Sequence, residues 1–246
     1  MSGLRLKVLC LHGFTSNGTV HAHQLRTIVK ALPEYEFVFP DGPHKVNIDS
    51  EWDLTKPEVH LWNELVISKS TSGHRAWWYA REGKEKGAGD FVGLNASLDF
   101  IGSLMQKEGP FHAILGFSQG GCFAGILCAL LQRRSIAHPL RSHLPEKLPS
   151  PLAGIIFSGF KVRFPQYDEV YAEGINIPMI HVMGVEDDDV IVEKSEELAS
   201  LNTCSEILKH NGGHQIPRKP EDISQITSFF RKHILAAMIL PAQSLI

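Results

Sequence analysis

The feature that most constrains this chain is an apolar run that ends in a serine flanked by glycines, within residues 114–121. The run enters the pattern Gly-x-Ser-x-Gly at Ser118 and leads into a second apolar stretch, residues 122–130. This order predicts a strand, a sharp turn and a helix. Gly116 and Gly120 let the strand and the helix approach closely, and the turn lifts the Ser118 hydroxyl above the sheet. The pattern therefore indicates an exposed nucleophile near a helix N-terminus.

The same residues also allow a simpler interpretation. A glycine-rich turn often begins a buried helix, and Ser118 would then be an ordinary N-cap. The strand before the serine and the helix after it are the context that a nucleophilic serine needs, so we favour the catalytic interpretation.

Strand and helix patterns alternate along the chain. Short apolar runs predict six strands, near residues 6–11, 35–39, 113–117, 152–160, 178–184 and 206–210. Amphipathic stretches between them predict helices, the last from about residue 221 to 238. This alternation is typical of a doubly wound, mostly parallel sheet with helices on both faces. Together with the serine turn it predicts one α/β-hydrolase domain, residues 1–246, interrupted by an insertion at residues 44–90.

The composition excludes several kinds of partner. The net charge is −3, with 43% apolar and 21% charged residues, so nothing suggests a nucleic acid or an anionic membrane surface. We find no apolar run long enough to span a membrane and no signal peptide before the first strand. The four cysteines lack metal-like spacing and read as reduced thiols, which favours a cytoplasmic location. The sequence does not determine the oligomeric state.

A serine hydroxyl needs a base, normally a histidine held by a carboxylate, and in this fold the acid and then the histidine follow the serine. Asp187 lies just past the strand at 178–184, and His214 lies in a Gly-Gly-His turn past the strand at 206–210. We therefore predict Ser118, Asp187 and His214 as the catalytic residues. Asp188 and Asp189 compete with Asp187 for the acid role, and the three-Asp run also fits a weak cation site or a helix N-cap.

The first strand is followed by His12, Gly13 and Phe14, a typical oxyanion loop. We predict that the backbone N–H groups of Phe14 and Gln119 form the oxyanion hole. His12 precedes the serine, so we interpret it as a structural residue and not as the base.

The insertion at residues 44–90 contains all four tryptophans of the chain. A loop of this length is usually functional, so we expect a lid or a substrate wall. Its most aromatic part, residues 75–79, places Trp77 and Trp78 where they would bind an acyl chain together with Phe14. The alternative is that the tryptophans only plug the edge of the sheet.

The chain resembles the FSH family of serine hydrolases, which includes the ovarian-cancer-associated hydrolase-like proteins and fungal homologues. The resemblance rests on matching stretches spread over the chain, at residues 11–14, 17–18, 75–77, 109–111, 116–120, 157–160, 184–195 and 213–214. In that family the acid follows the glycine at Gly184 by three residues, which supports Asp187. The family often has Val-Pro where this chain has Val190 and Ile191.

The resemblance implies an esterase or thioesterase that needs no metal and no organic cofactor. The expected substrate is a small acyl ester, with a medium or long acyl chain. Two alternatives stay open. The protein could be a thioesterase that releases a carrier-bound acyl or polyketide product, or a non-catalytic hydrolase-fold module that only binds a partner.

Overall fold

A computed structural model describes residues 5–132 and 138–235. The strands of these ranges are β1 (Leu6–Leu11), β2 (Tyr35–Val38), β3 (His44–Lys45), β4 (Arg75–Ala76), β5 (Tyr79–Glu82), β6 (Gly89–Val92), β7 (Ala113–Phe117), β8 (Ala153–Phe157), β9 (Met179–Gly184) and β10 (Ser205–His210). The α-helices are α1 (Gly18–Ala31), α2 (Ile48–Glu51), α3 (Pro57–Lys69), α4 (Leu94–Glu108), α5 (Gln119–Leu131), α6 (Val192–Ser200) and α7 (Pro220–Phe230). Short 3-10 helices cover Pro139–His143 and Pro165–Tyr171.

Six of the strands form one sheet in the order β10-β9-β8-β7-β1-β2, and every pairing in it is parallel. Parallel strands are buried on both faces, which explains why β7 and β8 are continuous apolar runs. One face packs against side chains of α4, α5 and α6, and the other against those of α1 and α7. The predicted doubly wound sheet of six strands with helices on both faces is confirmed.

The helix that follows Ser118 lies at the centre of the molecule. Every residue of α5 is buried, so its apolar sequence reflects burial all round the helix and not one amphipathic face. Because the carboxyl ends of parallel strands meet at one edge of the sheet, the loops after β1, β7, β8, β9 and β10 converge there.

The insertion at residues 44–90 has its own small elements. It contains α2, α3 and two antiparallel pairs, β3 with β4 and β5 with β6, the second of which extends to Val92. A bridge between Ser16 and Arg75 joins it to the loop after β1. The insertion is therefore built onto the carboxyl edge of the sheet.

The end of the chain differs from the prediction in one respect. The predicted helix at 221–238 is observed as α7, and a π-helical segment, Arg231–Leu235, follows it. Residues 236–238 of that prediction lie outside the described residues. Within the ranges that the structure describes, no helix is long and apolar enough to cross a membrane.

Candidate active site

Ser118 lies in the turn between β7 and α5 with φ of +55°. A residue with a side chain rarely adopts this conformation, so the turn is strained. A Cβ atom on Gly116 would lie 2.0 Å from the carbonyl oxygen of Gly120, and one on Gly120 would lie 2.0 Å from that of Leu11. Only glycine fits at these two positions. The strand and the helix therefore approach closely enough to present Ser118 at the carboxyl edge of the sheet.

Asp187 and His214 come together from the loops after β9 and β10. The distance between His214 Nδ1 and Asp187 Oδ2 is 2.8 Å, and the Asp187 side chain is fully buried. The other carboxylate oxygen, Oδ1, accepts hydrogen bonds from the backbone N–H groups of Asp189 at 3.0 Å and Val190 at 2.8 Å. These contacts hold the Asp187 carboxylate in place. The carboxylate in turn fixes the position of His214 Nδ1 and so orients the imidazole ring.

The environment of Asp187 favours its ionised form. Burial by itself raises the pKa of this carboxyl group. The hydrogen bonds from His214 and from Val190 N–H, the charge of His214 and the nearby Ser158 hydroxyl lower it by more, so the pKa lies below its ordinary value. Asp187 is therefore an anion at neutral pH, as a residue that holds an imidazolium must be.

The sequence also left a cation site open at the three-Asp run. Asp187, Asp189 and His214 each offer an atom within 4.8 Å of the others. Both oxygens of Asp187 already accept hydrogen bonds, one of them from His214. We therefore interpret Asp187 and His214 as hydrogen-bond partners of each other and not as ligands of a cation.

The loop after β1 lies beside the serine. A Cβ atom on Gly13 would lie 3.4 Å from Cβ of Ser118, so the predicted oxyanion loop and the turn lie side by side. His12 is fully buried; its Nδ1 donates to the carbonyl of Gly13 at 2.7 Å, and its Nε2 accepts from the N–H of Gly42 at 2.8 Å. Burial lowers the pKa of His12 to about 4. His12 is therefore a neutral, structural imidazole, in agreement with the sequence interpretation.

A cavity of about 730 Å³ opens above Ser118. His214 and Phe14 also line it. Its other aromatic and aliphatic walls are Trp52, Val59, Trp62, Phe117, Phe160 and Val190. Its charged walls are Glu51, Asp53, Lys56, Glu58 and Asp189. The cavity thus joins the predicted catalytic residues to helices α2 and α3 of the insertion.

Trp77 and Trp78 are not part of that cavity, contrary to the sequence prediction. Their exposed fractions are 0% and 2%, and both rings pack on Phe123 of α5, with ring centroids 5.3 and 5.6 Å apart. Two other tryptophans of the insertion, Trp52 and Trp62, line the cavity instead. The large apolar area of Trp77 and Trp78 is buried in the protein core and is not available to a ligand.

Sequence reasoning also missed the roles of two side chains near the site. The Gln119 amide accepts a hydrogen bond from Trp77 N–H and donates one to the Trp78 carbonyl, at 2.9 and 2.8 Å. The Ser158 hydroxyl, at the end of β8, is buried near Asp187, and Ser158 has φ of +43°. The only sequence signal was that Gln119 and Ser158 lie within two residues of the ends of neighbouring strands.

Comparison with solved structures confirms the fold. Acyl-protein thioesterase 2 from Zea mays superposes with a TM-score of 0.64 over 94% of both chains, at 17% sequence identity. Esterase PE8 superposes with a TM-score of 0.58 over 94% of this chain and 93% of that one, at 21% identity. The protein therefore has the α/β-hydrolase fold.

Comparison of sequences gives the family. The model of the serine hydrolase (FSH1) family matches residues 1–226, and the chain belongs to that family. Esterase CG5412 from Drosophila melanogaster is 30% identical over 236 residues, which cover 94% of this chain and 75% of that protein. Esterase OVCA2 from Danio rerio is 29% identical over 225 residues, 88% of this chain and 92% of that protein. The protein is a hydrolase enzyme of the esterase type.

Proposed function

We propose that the protein cleaves carboxylic esters of medium or long acyl chains through an acyl-serine intermediate. The observation that carries this proposal is that Ser118 and His214 line one cavity with apolar walls and that the buried Asp187 binds His214 behind it. A serine in a strained turn beside a carboxylate-bound imidazole is the arrangement that activates a hydroxyl for attack on a carbonyl.

In this mechanism the Ser118 oxygen attacks the ester carbonyl carbon and His214 Nε2 takes the hydroxyl proton. Asp187 binds Nδ1–H and stabilises the imidazolium that forms. The tetrahedral intermediate collapses, the C–O bond to the alcohol breaks, and His214 returns the proton to the leaving alkoxide. Water then attacks the acyl-serine by the same route and releases the carboxylic acid.

The backbone N–H groups of Phe14 and Gln119 bind the negative oxygen of the intermediate. Gly13 lies beside Ser118, and Gln119 is the first residue of α5, so both N–H groups belong to backbone near the nucleophile. Donors held in place before the reaction stabilise charge that develops in the transition state, and each is worth roughly 3–4 kcal/mol.

The insertion at residues 44–90 supplies the substrate wall. Trp52, Val59 and Trp62 contribute large apolar surfaces to the cavity, as an acyl chain requires. The charged residues of the cavity are four acids and one lysine, and the Arg81 guanidinium pairs with one of the acids, Glu51, at 2.8 Å. This excess of acids disfavours an anionic substrate, so we expect neutral esters to be preferred.

Thioester hydrolysis is a second candidate, because the fold is similar to that of an acyl-protein thioesterase over nearly the whole chain. The acidic cavity makes a coenzyme A thioester, with its phosphates, a poorer substrate than a neutral thioester. Oxygen esters and neutral thioesters of one chain length, assayed side by side, distinguish the two candidates.

Ser118→Ala tests the mechanism directly. The variant keeps the fold and removes the nucleophile, so we expect no labelling by a fluorophosphonate probe and a fall in turnover on the order of 10⁴–10⁶. Labelling is read on a gel and folding by circular dichroism. A folded variant that still reacts with the probe at the wild-type rate would refute the assignment of Ser118.

A further inference from the structure

Trp77 is tied to the oxyanion loop, defined here as residues 12–17. Its indole Nε1 donates a hydrogen bond to the His12 carbonyl at 2.8 Å, and the rings of Trp77 and His12 lie with centroids 5.0 Å apart. His12 in turn donates from Nδ1 to the Gly13 carbonyl. That carbonyl belongs to the peptide group that carries the Phe14 N–H.

The geometry of a peptide group gives this contact a consequence. In a trans peptide the carbonyl and the N–H point in opposite directions. A hydrogen bond that fixes the Gly13 carbonyl therefore fixes the direction of the Phe14 N–H on the other side. Trp77 holds His12 through the His12 carbonyl, and His12 holds the Gly13 carbonyl. A shift of Trp77 would therefore change the direction of the Phe14 N–H, the proposed oxyanion donor.

The same tryptophan is bound to the residue that carries the second proposed donor. The Gln119 side-chain Oε1 accepts from the Trp77 backbone N–H at 2.9 Å, and its Nε2 donates to the Trp78 carbonyl at 2.8 Å. The Ser97 hydroxyl of α4 donates to the Trp77 carbonyl. All of these groups are buried, where hydrogen bonds are not exchanged with water.

The rest of the oxyanion loop is held from the insertion as well. Thr15 has φ of +58°, which is strained for a β-branched residue. Its carbonyl accepts hydrogen bonds from the Trp62 indole at 3.0 Å and from His74 Nδ1 at 2.7 Å. The Arg75 backbone N–H donates to the Ser16 carbonyl at 2.7 Å. The surrounding insertion thus imposes a loop shape that the loop alone would not keep.

We propose that Trp77 is a positioning residue, which sets the spacing of the Phe14 and Gln119 N–H groups by binding the His12 carbonyl on one side and the Gln119 amide on the other. This inference rests on the proposed acyl-serine function. Trp77 touches no substrate, so its loss affects the charged transition state more than substrate binding.

The test compares two buried tryptophans. Trp77→Phe keeps an aromatic ring but removes the N–H that binds His12. Trp78→Phe is the matched control, since its indole N–H has no hydrogen-bond partner among residues 5–132 and 138–235. We expect Trp77→Phe to lower kcat by about 10- to 100-fold with KM changed less than about twofold, and Trp78→Phe to keep both within about twofold. Thermal unfolding shows whether the two variants lose similar stability.

Gln119→Met gives an independent test if Trp77→Phe does not fold. It removes both side-chain hydrogen bonds to the tryptophan pair but keeps the backbone N–H, so kcat should again fall while KM changes little. An alkyl trifluoromethyl ketone, whose hemiketal with Ser118 places an oxyanion in the hole, should bind both variants more weakly in parallel with kcat.

The experiments distinguish a failure of the Trp77 proposal from a failure of the proposed function. Equal losses of kcat in Trp77→Phe and Trp78→Phe, or a Gln119→Met variant with wild-type kcat and ketone affinity, would overturn the role of Trp77. Fluorophosphonate labelling that survives in Ser118→Ala would instead overturn the proposed function, whatever the tryptophan variants do.

Discussion

The edge of the sheet and the insertion contribute to the site in different ways. Ser118, Asp187 and His214 each follow the end of a sheet strand, and their positions follow from the strand pattern alone. The four tryptophans of the insertion divide: Trp52 and Trp62 line the cavity, while Trp77 and Trp78 lie in the core. Position after a strand is a local property of the sequence, whereas the direction that a loop side chain faces depends on distant contacts.

The two regions differ in the task that we assign to them, which is catalysis for one and substrate fit for the other. We assign proton transfer and attack on the carbonyl to residues of the sheet edge, and the fit of the substrate to the insertion. Substitutions in the first region should therefore change kcat for every substrate, and those at the cavity wall of the second should change selectivity.

The largest expected effect comes from the buried acid. Asp187→Asn removes the charge that holds and stabilises the His214 imidazole, so we expect kcat to fall by about 10⁴ with KM nearly unchanged. Asp188→Asn is the matched control, because Asp188 is exposed and does not line the cavity. Steady-state kinetics on one ester check both. Similar losses in the two variants would mean that the acid is not localised at Asp187.

A smaller effect is expected at the cavity wall. Each methylene buried against apolar side chains contributes about 0.8 kcal/mol, so kcat/KM should rise several-fold for every two carbons of the acyl chain until the cavity is full. Trp52→Ala removes part of that wall and should lower kcat/KM about tenfold for the longest esters, leaving acetyl esters within about twofold.

Leu61→Ala provides the comparison for this variant, because Leu61 belongs to the same insertion, is 68% exposed and does not line the cavity. An ester series from two to twelve carbons, measured on both variants, checks the expectation. A chain-length profile that Trp52→Ala leaves unchanged would remove the insertion from substrate selection.

The smallest effect concerns acid stability of the sheet. His181 in β9 is 1% exposed, and neither ring nitrogen has a hydrogen-bond partner in the part of the chain that the structure describes. Burial lowers its pKa from 6.5 to about 4. Below pH 6.5 His181 is therefore protonated in the unfolded chain but remains neutral in the folded protein. The free energy of unfolding decreases as the pH is lowered. From pH 7.5 to pH 6 the loss is roughly 1 kcal/mol from this group.

His181→Leu should remove that contribution, so its stability should depend less on pH than that of the wild type over the same range. Urea unfolding midpoints at the two pH values measure the difference. A variant with unchanged pH dependence would show that the His181 imidazole does not contribute to the acid sensitivity.

The sequence predicted most of the fold because burial leaves a direct pattern. Central strands such as β7 and β8 are continuous apolar runs, and helices such as α1 and α4 show amphipathic spacing. The limits of the six strands were therefore predicted to within a few residues. The residues assigned to catalysis lie where the strand ends led us to expect them, and Asp187 and His214 are hydrogen-bonded in the structure.

The environment of Trp77 and Trp78 could not be predicted in the same way. Their partners are Gln119, 42 and 41 positions along the chain, and His12, 65 positions before Trp77. The sequence of an aromatic run does not indicate which of its side chains face solvent and which pack against a buried amide. For the same reason the sequence assigned Gln119 only a backbone role.

The hydrogen bonds between the insertion and the oxyanion loop have a consequence for folding. Those from the indoles of Trp62 and Trp77 join groups 47 and 65 positions apart. Contacts between such distant residues carry a loop-closure cost and form only when much of the chain is already ordered. The pairing of Val8 with Ala113 between β1 and β7 joins residues that are still further apart. Activity should therefore return on refolding only when both the sheet and the insertion have formed, because the strained backbone at Thr15 needs both for its final shape.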